Sequence, residues 1–216
     1  MRKILFILFC VSLGFISLSC EKLFDKEDPD ELTGDQSPMS EVGTTVSSYD
    51  DFAGVSGFSA VVTSLEDGVS SYSASAKVTN TLLKNMVANF PGVTINGDDV
   101  TITGMKVQQT KEGIKSLTGP GAGILVKYDS NVGDTYPIGD TGKERKVVSK
   151  TGIDDYPYGF FLIKTIQVEM EPLDMKSGGV EKYTFVANHR FGLVGVKIDF
   201  DDGTDVTFPI YSSTEN

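Results

Sequence analysis

The sequence predicts a mainly β protein: an antiparallel β-sandwich or partly closed barrel with one short helix at about residues 81–90, with an α+β arrangement as the alternative. Three observations carry that expectation. Apolar and polar residues alternate in segment after segment from Phe58 onward, which is the period of a half-buried strand. Glycine and proline, 23 and 8 among 216 residues, are frequent enough to punctuate many turns. Helical spacing is convincing in one stretch only.

Phe58, Ala60 and Val62 alternate, Glu66-Asp67-Gly68 supplies a turn, and Tyr72, Ala74, Ala76 and Val78 alternate on the return, the pattern of a hairpin. Asn80 then caps a helix whose Leu82, Leu83, Met86, Val87 and Phe90 share one apolar face, and Pro91-Gly92 stops it. A helix of about ten residues is too short to stand alone, so it must pack on a sheet. Asn96-Gly97, between Val93/Ile95 and Val100/Ile102, signals a type I′ turn with positive φ at both central positions. Gly104, where the alternation slips by one, marks a bulge in the strand that runs on through Met105 and Val107.

Residues 124–128 form another strand, 131–142 read as loop, and Val147-Val148 and 160–170 as strands. Tyr183, Phe185 and Ala187 alternate, 190–192 connect, and Val194, Val196, Ile198 and Phe200 alternate again. After Asp201-Asp202-Gly203-Thr204 the chain returns through Val206, Phe208 and Ile210. Nine or ten short strands result, mostly joined by hairpins.

The N-terminus is of another kind. Arg2 and Lys3 precede a 13-residue apolar stretch, 4–16. That is short for a bilayer span of roughly 20 residues and right for a signal-peptide core. It ends in Ser17-Leu18-Ser19-Cys20, followed by Glu21 and Lys22. This resembles the lipobox of bacterial lipoproteins, with Ser19 at the cut site and Leu18 one place closer to the Cys than in the best matches. The resemblance implies that Cys20 carries diacylglycerol, that 1–19 are removed, and that the new N-terminus is acylated. Two or more acyl chains make a stable membrane anchor.

Loss of 1–19 takes Arg2, Lys3 and Cys10 with it, so 17 basic residues face 30 acidic ones and the net charge moves from −11 to −13. Such a chain is no partner for nucleic acid. With Cys20 lipidated, no disulfide and no cysteine catalysis remain.

From Glu21 the chain is acidic: Glu21, Asp25, Glu27, Asp28, Asp30, Glu31 and Asp35 against Lys22 and Lys26. Ser, Pro, Gly and Thr follow up to Tyr49. Such a segment reads as an extended tether, 20–48, whose roughly 28 residues would span about 30 Å. The acidic cluster after Cys20 is similar to the export signal of surface-displayed lipoproteins in one Gram-negative group. It implies the outer face of the outer membrane, with the periplasmic face as the alternative. The organisation is thus signal peptide 1–19, lipidated tether 20–48, a single β-rich domain 49–212 and a tail 213–216.

Chemistry is sparse. The mature chain offers His189 alone besides acids, which argues against a zinc site and, without a G-x-S-x-G elbow, against a Ser–His pair. Gly119-Pro120-Gly121-Ala122-Gly123 is followed by a strand pattern and not by the helix a phosphate loop needs. The acidic runs at 129–134 and 199–205 miss the calcium-loop positions and read as turn residues.

The stretch with most promise is Asp154-Asp155-Tyr156-Pro157-Tyr158-Gly159-Phe160-Phe161. Its candidate ligand-binding residues are Asp154, Asp155, Tyr156 and Tyr158, because acids beside tyrosines suit hydrogen bonding and stacking on a sugar. The absence of tryptophan weighs against a glycan. The expected function is that of a lipid-anchored, exported cell-envelope protein of a Gram-negative bacterium, with a non-catalytic β-domain that needs no cofactor or metal. It reaches the membrane through Cys20 and binds a glycan or an envelope protein partner. The alternative is a lipid-anchored hydrolase acting on a glycan polymer through Asp154, Asp155 or His189.

Overall fold

A computed structural model describes residues 30–49, 51, 53–88, 90–119, 121–173 and 179–216. The expected signal peptide, Cys20 and the tether as far as residue 29 lie outside them. Residues 32–216 make one compact unit, so its boundary falls at Leu32 and not at Tyr49.

Sixteen strands occur among the described residues, and every pairing is antiparallel. The first sheet holds β1 (Thr45–Ser47), β2 (Val55–Glu66), β3 (Val69–Val78), β4 (Val93–Asn96), β5 (Asp99–Thr110), β6 (Gly113–Ser116) and β7 (Gly123–Lys127). The second holds β8 (Thr135–Pro137), β9 (Glu144–Lys150), β12 (Ile166–Met170), β13 (Val180–Asn188), β14 (Gly192–Phe200) and β15 (Asp205–Pro209), in the order β15-β14-β13-β12-β9-β8. Between them in sequence, β10 (Tyr156–Tyr158) and β11 (Phe161–Ile163) form a separate hairpin. The last strand, β16 (Tyr211–Ser212), returns to the first sheet, giving β16-β1-β2-β3-β5-β6-β7 with β4 beside the first half of β5. The first sheet curls into a half-barrel. The chain crosses between sheets from β7 to β8 and from β15 to β16. The mainly β, antiparallel expectation with one short helix holds.

Several local expectations change. Gly104 is a bulge as expected, at φ +72, opposite the register shift between Tyr72 and Ser73. Two consecutive positive-φ residues occur instead in the turns Ala53-Gly54, at +47 and +78, and Asp67-Gly68, at +50 and +76. At 97–98 only Gly97 is left-handed, because Asn96 already pairs with Asp99 as a strand residue. The helix, α1 (Thr81–Val87), begins where expected, with Asn80 Oδ1 accepting from the Leu82 and Leu83 amides at 3.0 and 3.2 Å. It ends three residues early, since the Phe90 amide turns back to the Val87 carbonyl ahead of Pro91. The single strand expected over 160–170 is two strands in different sheets, broken where Thr151 and Thr165 bond reciprocally through Thr151 N–H to Thr165 O and Thr165 N–H to Thr151 Oγ1, both at 2.8 Å. The loop expected over 131–142 contains β8, whose Tyr136 is buried and donates to Ser130 Oγ at 2.7 Å.

The largest change concerns 32–48. Leu32 is buried with Ile114, Ile124, Val126, Val147 and Val168 between the sheets. A 3-10 turn, Pro38–Ser40, then enters the concave side of the first sheet, where Met39 is buried. Its polar groups are satisfied there: Ser70 Oγ donates to Ser40 O at 2.7 Å, and the Met39 amide donates to Ser37 Oγ at 3.1 Å. A polar composition thus hides a packed strap, because fully bonded serines can be buried at little cost.

The remaining core runs between the sheets, through Val55, Val78, Leu83, Val100, Val180 and Ile198 at the α1 end and Ala60, Val62, Tyr72 and Ala74 between. The outer face of the second sheet carries a ladder of charges. Lys182 lies 2.8 Å from Glu169 and 3.8 Å from Asp199, and Lys197 lies 2.7 Å from Asp199 and 3.8 Å from Asp205. Hydrogen bonds to these carboxylates hold both lysines above the ordinary ammonium range.

Candidate functional site

Strands β10 and β11 pair Tyr156 with Ile163, Pro157 with Leu162 and Tyr158 with Phe161. Directly opposed residues share a face. Tyr156, Tyr158, Phe161 and Ile163 therefore look one way, and Pro157 and Leu162 the other. Gly159, at φ +60, makes the turn that a side chain would resist.

The first face packs on the second sheet, in a cluster of Tyr158, Ile163, Val186 and Val194 with Tyr156, Phe191 and Tyr211 against it. Tyr158 stacks on Phe191 with ring centroids 4.7 Å apart and meets Tyr211 at 5.0 Å and Phe161 at 5.8 Å. Tyr211 in turn meets Tyr49 at 4.8 Å. Phe191 is held by Asn188, whose Oδ1 accepts from the Arg190 and Phe191 amides at 2.7 and 3.1 Å. The Arg190 guanidinium lies 5.2 Å from the Phe191 ring centroid and 2.7 Å from Glu215. A Cβ at position 195 would come within 2.7 Å of the Tyr156 hydroxyl, so glycine is what lets that ring lie down on β14. Burial pushes the hydroxyls of Tyr156 and Tyr158 above the ordinary phenol range, with Tyr211 adding to both.

The structure thus separates the four residues singled out in the sequence. Asp154 and Asp155 are exposed ahead of the hairpin, Tyr156 is half-buried, and Tyr158, 7% exposed, offers no open ring face to a sugar. What the hairpin presents instead is apolar. Phe160 is 107% exposed at the tip, with Phe161 at 51%, Leu162 at 52% and the preceding Ile153 at 69%. These residues were legible in one respect. Phe160 and Phe161 follow Pro157 and Gly159, and turn residues this close by place an apolar side chain at a hairpin tip, where it leaves the core.

The other candidate motifs are structural in their contacts. His189 is exposed in the β13–β14 connection, and its carbonyl accepts from Asn216 Nδ2 at 2.7 Å. In the glycine run, the carbonyls of Gly121 and Ile124 accept from the buried Arg145 guanidinium, the second at 3.0 Å. A phosphate loop would instead direct N–H groups outward. Asp134 Oδ2 accepts from the Asn131 amide at 2.8 Å, and Asp202 Oδ1 accepts from the Thr204 amide at 2.9 Å and from its hydroxyl. The Thr204 bonds hold the Asp202 carboxyl below the usual range. Comparison with protein-family models, curated proteins and solved structures finds no match for this chain.

Proposed function

We propose that this is a lipid-anchored, exported envelope protein of a Gram-negative bacterium, displayed at the outer membrane surface, whose non-catalytic β-domain binds an envelope protein through the β10–β11 hairpin. The observation that carries the binding half is the exposed set Ile153, Phe160, Phe161 and Leu162 on a hairpin anchored by a packed aromatic base. Exposed apolar side chains clustered on a rigid support mark interaction sites, and aromatic residues dominate their energetics.

The tip's chemistry favours a protein. Its side chains carry no hydrogen-bonding group for sugar hydroxyls, while the hydroxyls of Tyr156 and Tyr158 are turned toward the sheet. Asp154 and Asp155 beside it, on a chain of net charge −11, oppose an anionic lipid surface. The anchoring half rests on Ser17-Leu18-Ser19-Cys20 and the acids that follow.

Palmitate labelling of wild type and Cys20→Ser, combined with protease treatment of intact cells, tests the anchor. Label on wild type alone, and protein lost on protease treatment, are the expected results. Unlabelled wild type contradicts the anchor, and a labelled but protected protein moves it to the periplasmic face. Co-purification from crosslinked cells tests the hairpin: a partner retained by wild type and lost with Phe160→Ser supports it. Turnover of a glycan polymer that is lost in Asp154→Ala, Asp155→Ala or His189→Ala replaces the binding reading with a hydrolase.

A further inference from the structure

A cavity of about 250 Å³ lies between the two sheets beside α1. Among the described residues lining it, all but Ser75 are apolar. Its walls come from β2, β3 and β5 of the curled sheet, from Leu83, Met86 and Val87 of α1, and from Val196 and Phe208 of the second sheet.

The sequence explains why there is room. The inward row of β3 runs Ser70, Tyr72, Ala74, Ala76, Val78. At Ser70 and Tyr72 the concave side is filled by the Pro38–Ser40 turn, with Ser70 Oγ bonded to Ser40 O. At Ala74 and Ala76 the side chains are single methyl groups, and no strap reaches them. Opposite Ala76, the register shift between Ser56 and Ser59, with Gly57 at φ +60, makes the bulge that carries Phe58, one of the lining residues.

The lining also determines what can enter. A buried water needs two to four polar partners, which these walls do not supply. An occupant must therefore be apolar over its buried length and keep any polar head outside. The space exceeds the roughly 150 Å³ apolar cavity that accommodates benzene. Packed sheets are about 10 Å apart with side chains taking up part of the gap, and a flexible alkyl chain can adapt to an apolar space of this kind. Met86, unbranched and adaptable, can repack along such a chain.

We infer that this slot binds the single saturated acyl chain of a free fatty acid. The inference does not depend on the hairpin's role.

The test titrates full-length protein, purified in a bile-salt detergent that has no alkyl chain, with fatty acids from hexanoate to dodecanoate by calorimetry. Saturable one-to-one binding that tightens with chain length is expected. Ala76→Phe, which places a ring in the slot, should weaken it by about tenfold or more, while Phe160→Ser leaves it unchanged. A melting temperature for Ala76→Phe at or above wild type shows that the fold is intact, and Ala74→Leu serves if that variant does not fold. Binding by both wild type and Cys20→Ser supports the inference, and binding by Cys20→Ser alone overturns it in favour of the protein's own acyl chain. No binding by either protein overturns the inference. So does undiminished binding by the folded slot-filling variant, or a compact ring hydrocarbon that binds as tightly as dodecanoate.

Discussion

The hairpin tip and the slot beside α1 are both apolar places that folding leaves uncovered, yet they are open to different molecules. At the tip, Phe160 projects fully from a base in which Tyr158 is locked between Phe191 and Tyr211. In the slot, Ala74 and Ala76 look into a space that neighbouring side chains wall but do not fill. The tip can meet only something brought to the surface and is large enough for a macromolecule. The slot, walled by apolar side chains, suits a small apolar ligand. In each case a rigid, well-packed element adjoins the open one, so the contribution of a residue to stability and its availability for binding should separate sharply within a few positions.

The sharpest break of that comparison is along the hairpin itself. Tyr158→Ala should cost about 3–5 kcal/mol in urea unfolding, as large aromatic truncations in cores do. Phe160→Ser should stay within about 0.5 kcal/mol, as exposed substitutions do. Similar costs for the two would erase the distinction between base and tip.

The second contrast lies along β3. Met39, packed against its filled end, should lose about 2–5 kcal/mol as Met39→Ala. Ala76→Leu at the open end should be neutral or stabilising by about 0.5–2 kcal/mol. A large loss at Ala76 would mean that the space is smaller than its walls indicate.

A third effect sharpens the contrast through pH. Burial pushes the Tyr72 hydroxyl from 10.0 up to about 12. Its folded-state value is therefore raised, so its contribution is fully present below pH 10 and is lost as pH rises through about 12. The two-unit difference corresponds to roughly 2–3 kcal/mol. Unfolding midpoints across that window should fall for wild type and fall less for Tyr72→Phe. The smallest effect belongs to the charge ladder: Lys182→Met should cost less than about 1 kcal/mol, and the cost should shrink further in molar salt.

How much of this was legible in the sequence differs by region for physical reasons. Long amphipathic strands such as β3 and β14 announce themselves, because six or more alternating residues leave a clear period. The three-residue β8 does not, and only its pairing with β9, from Thr135 opposite Lys146 to Pro137 opposite Glu144, makes it a strand. The strap at 32–48 was concealed because Ser37, Ser40 and Ser70 bury hydroxyls that are bonded within the fold, which composition alone scores as solvated. At the candidate site the sequence singled out eight residues, Asp154 to Phe161, without distinguishing the packed ones from the exposed ones. Tyr156 and Tyr158 form the base, since alternation from Ile163 puts them on the sheet-facing side. The slot was illegible, because Ala74 and Ala76 read as ordinary core until the partners they lack are seen in space.

The measurement that bears most directly on the proposed function is site-specific photo-crosslinking in intact cells, with a benzophenone amino acid placed at Phe160 in one strain and at the exposed Asp140 in another. A discrete crosslinked protein from position 160, absent from position 140 and lost in Cys20→Ser, is the result predicted. Crosslinks that are absent, diffuse, or equal at the two positions would contradict a hairpin built to dock a protein partner.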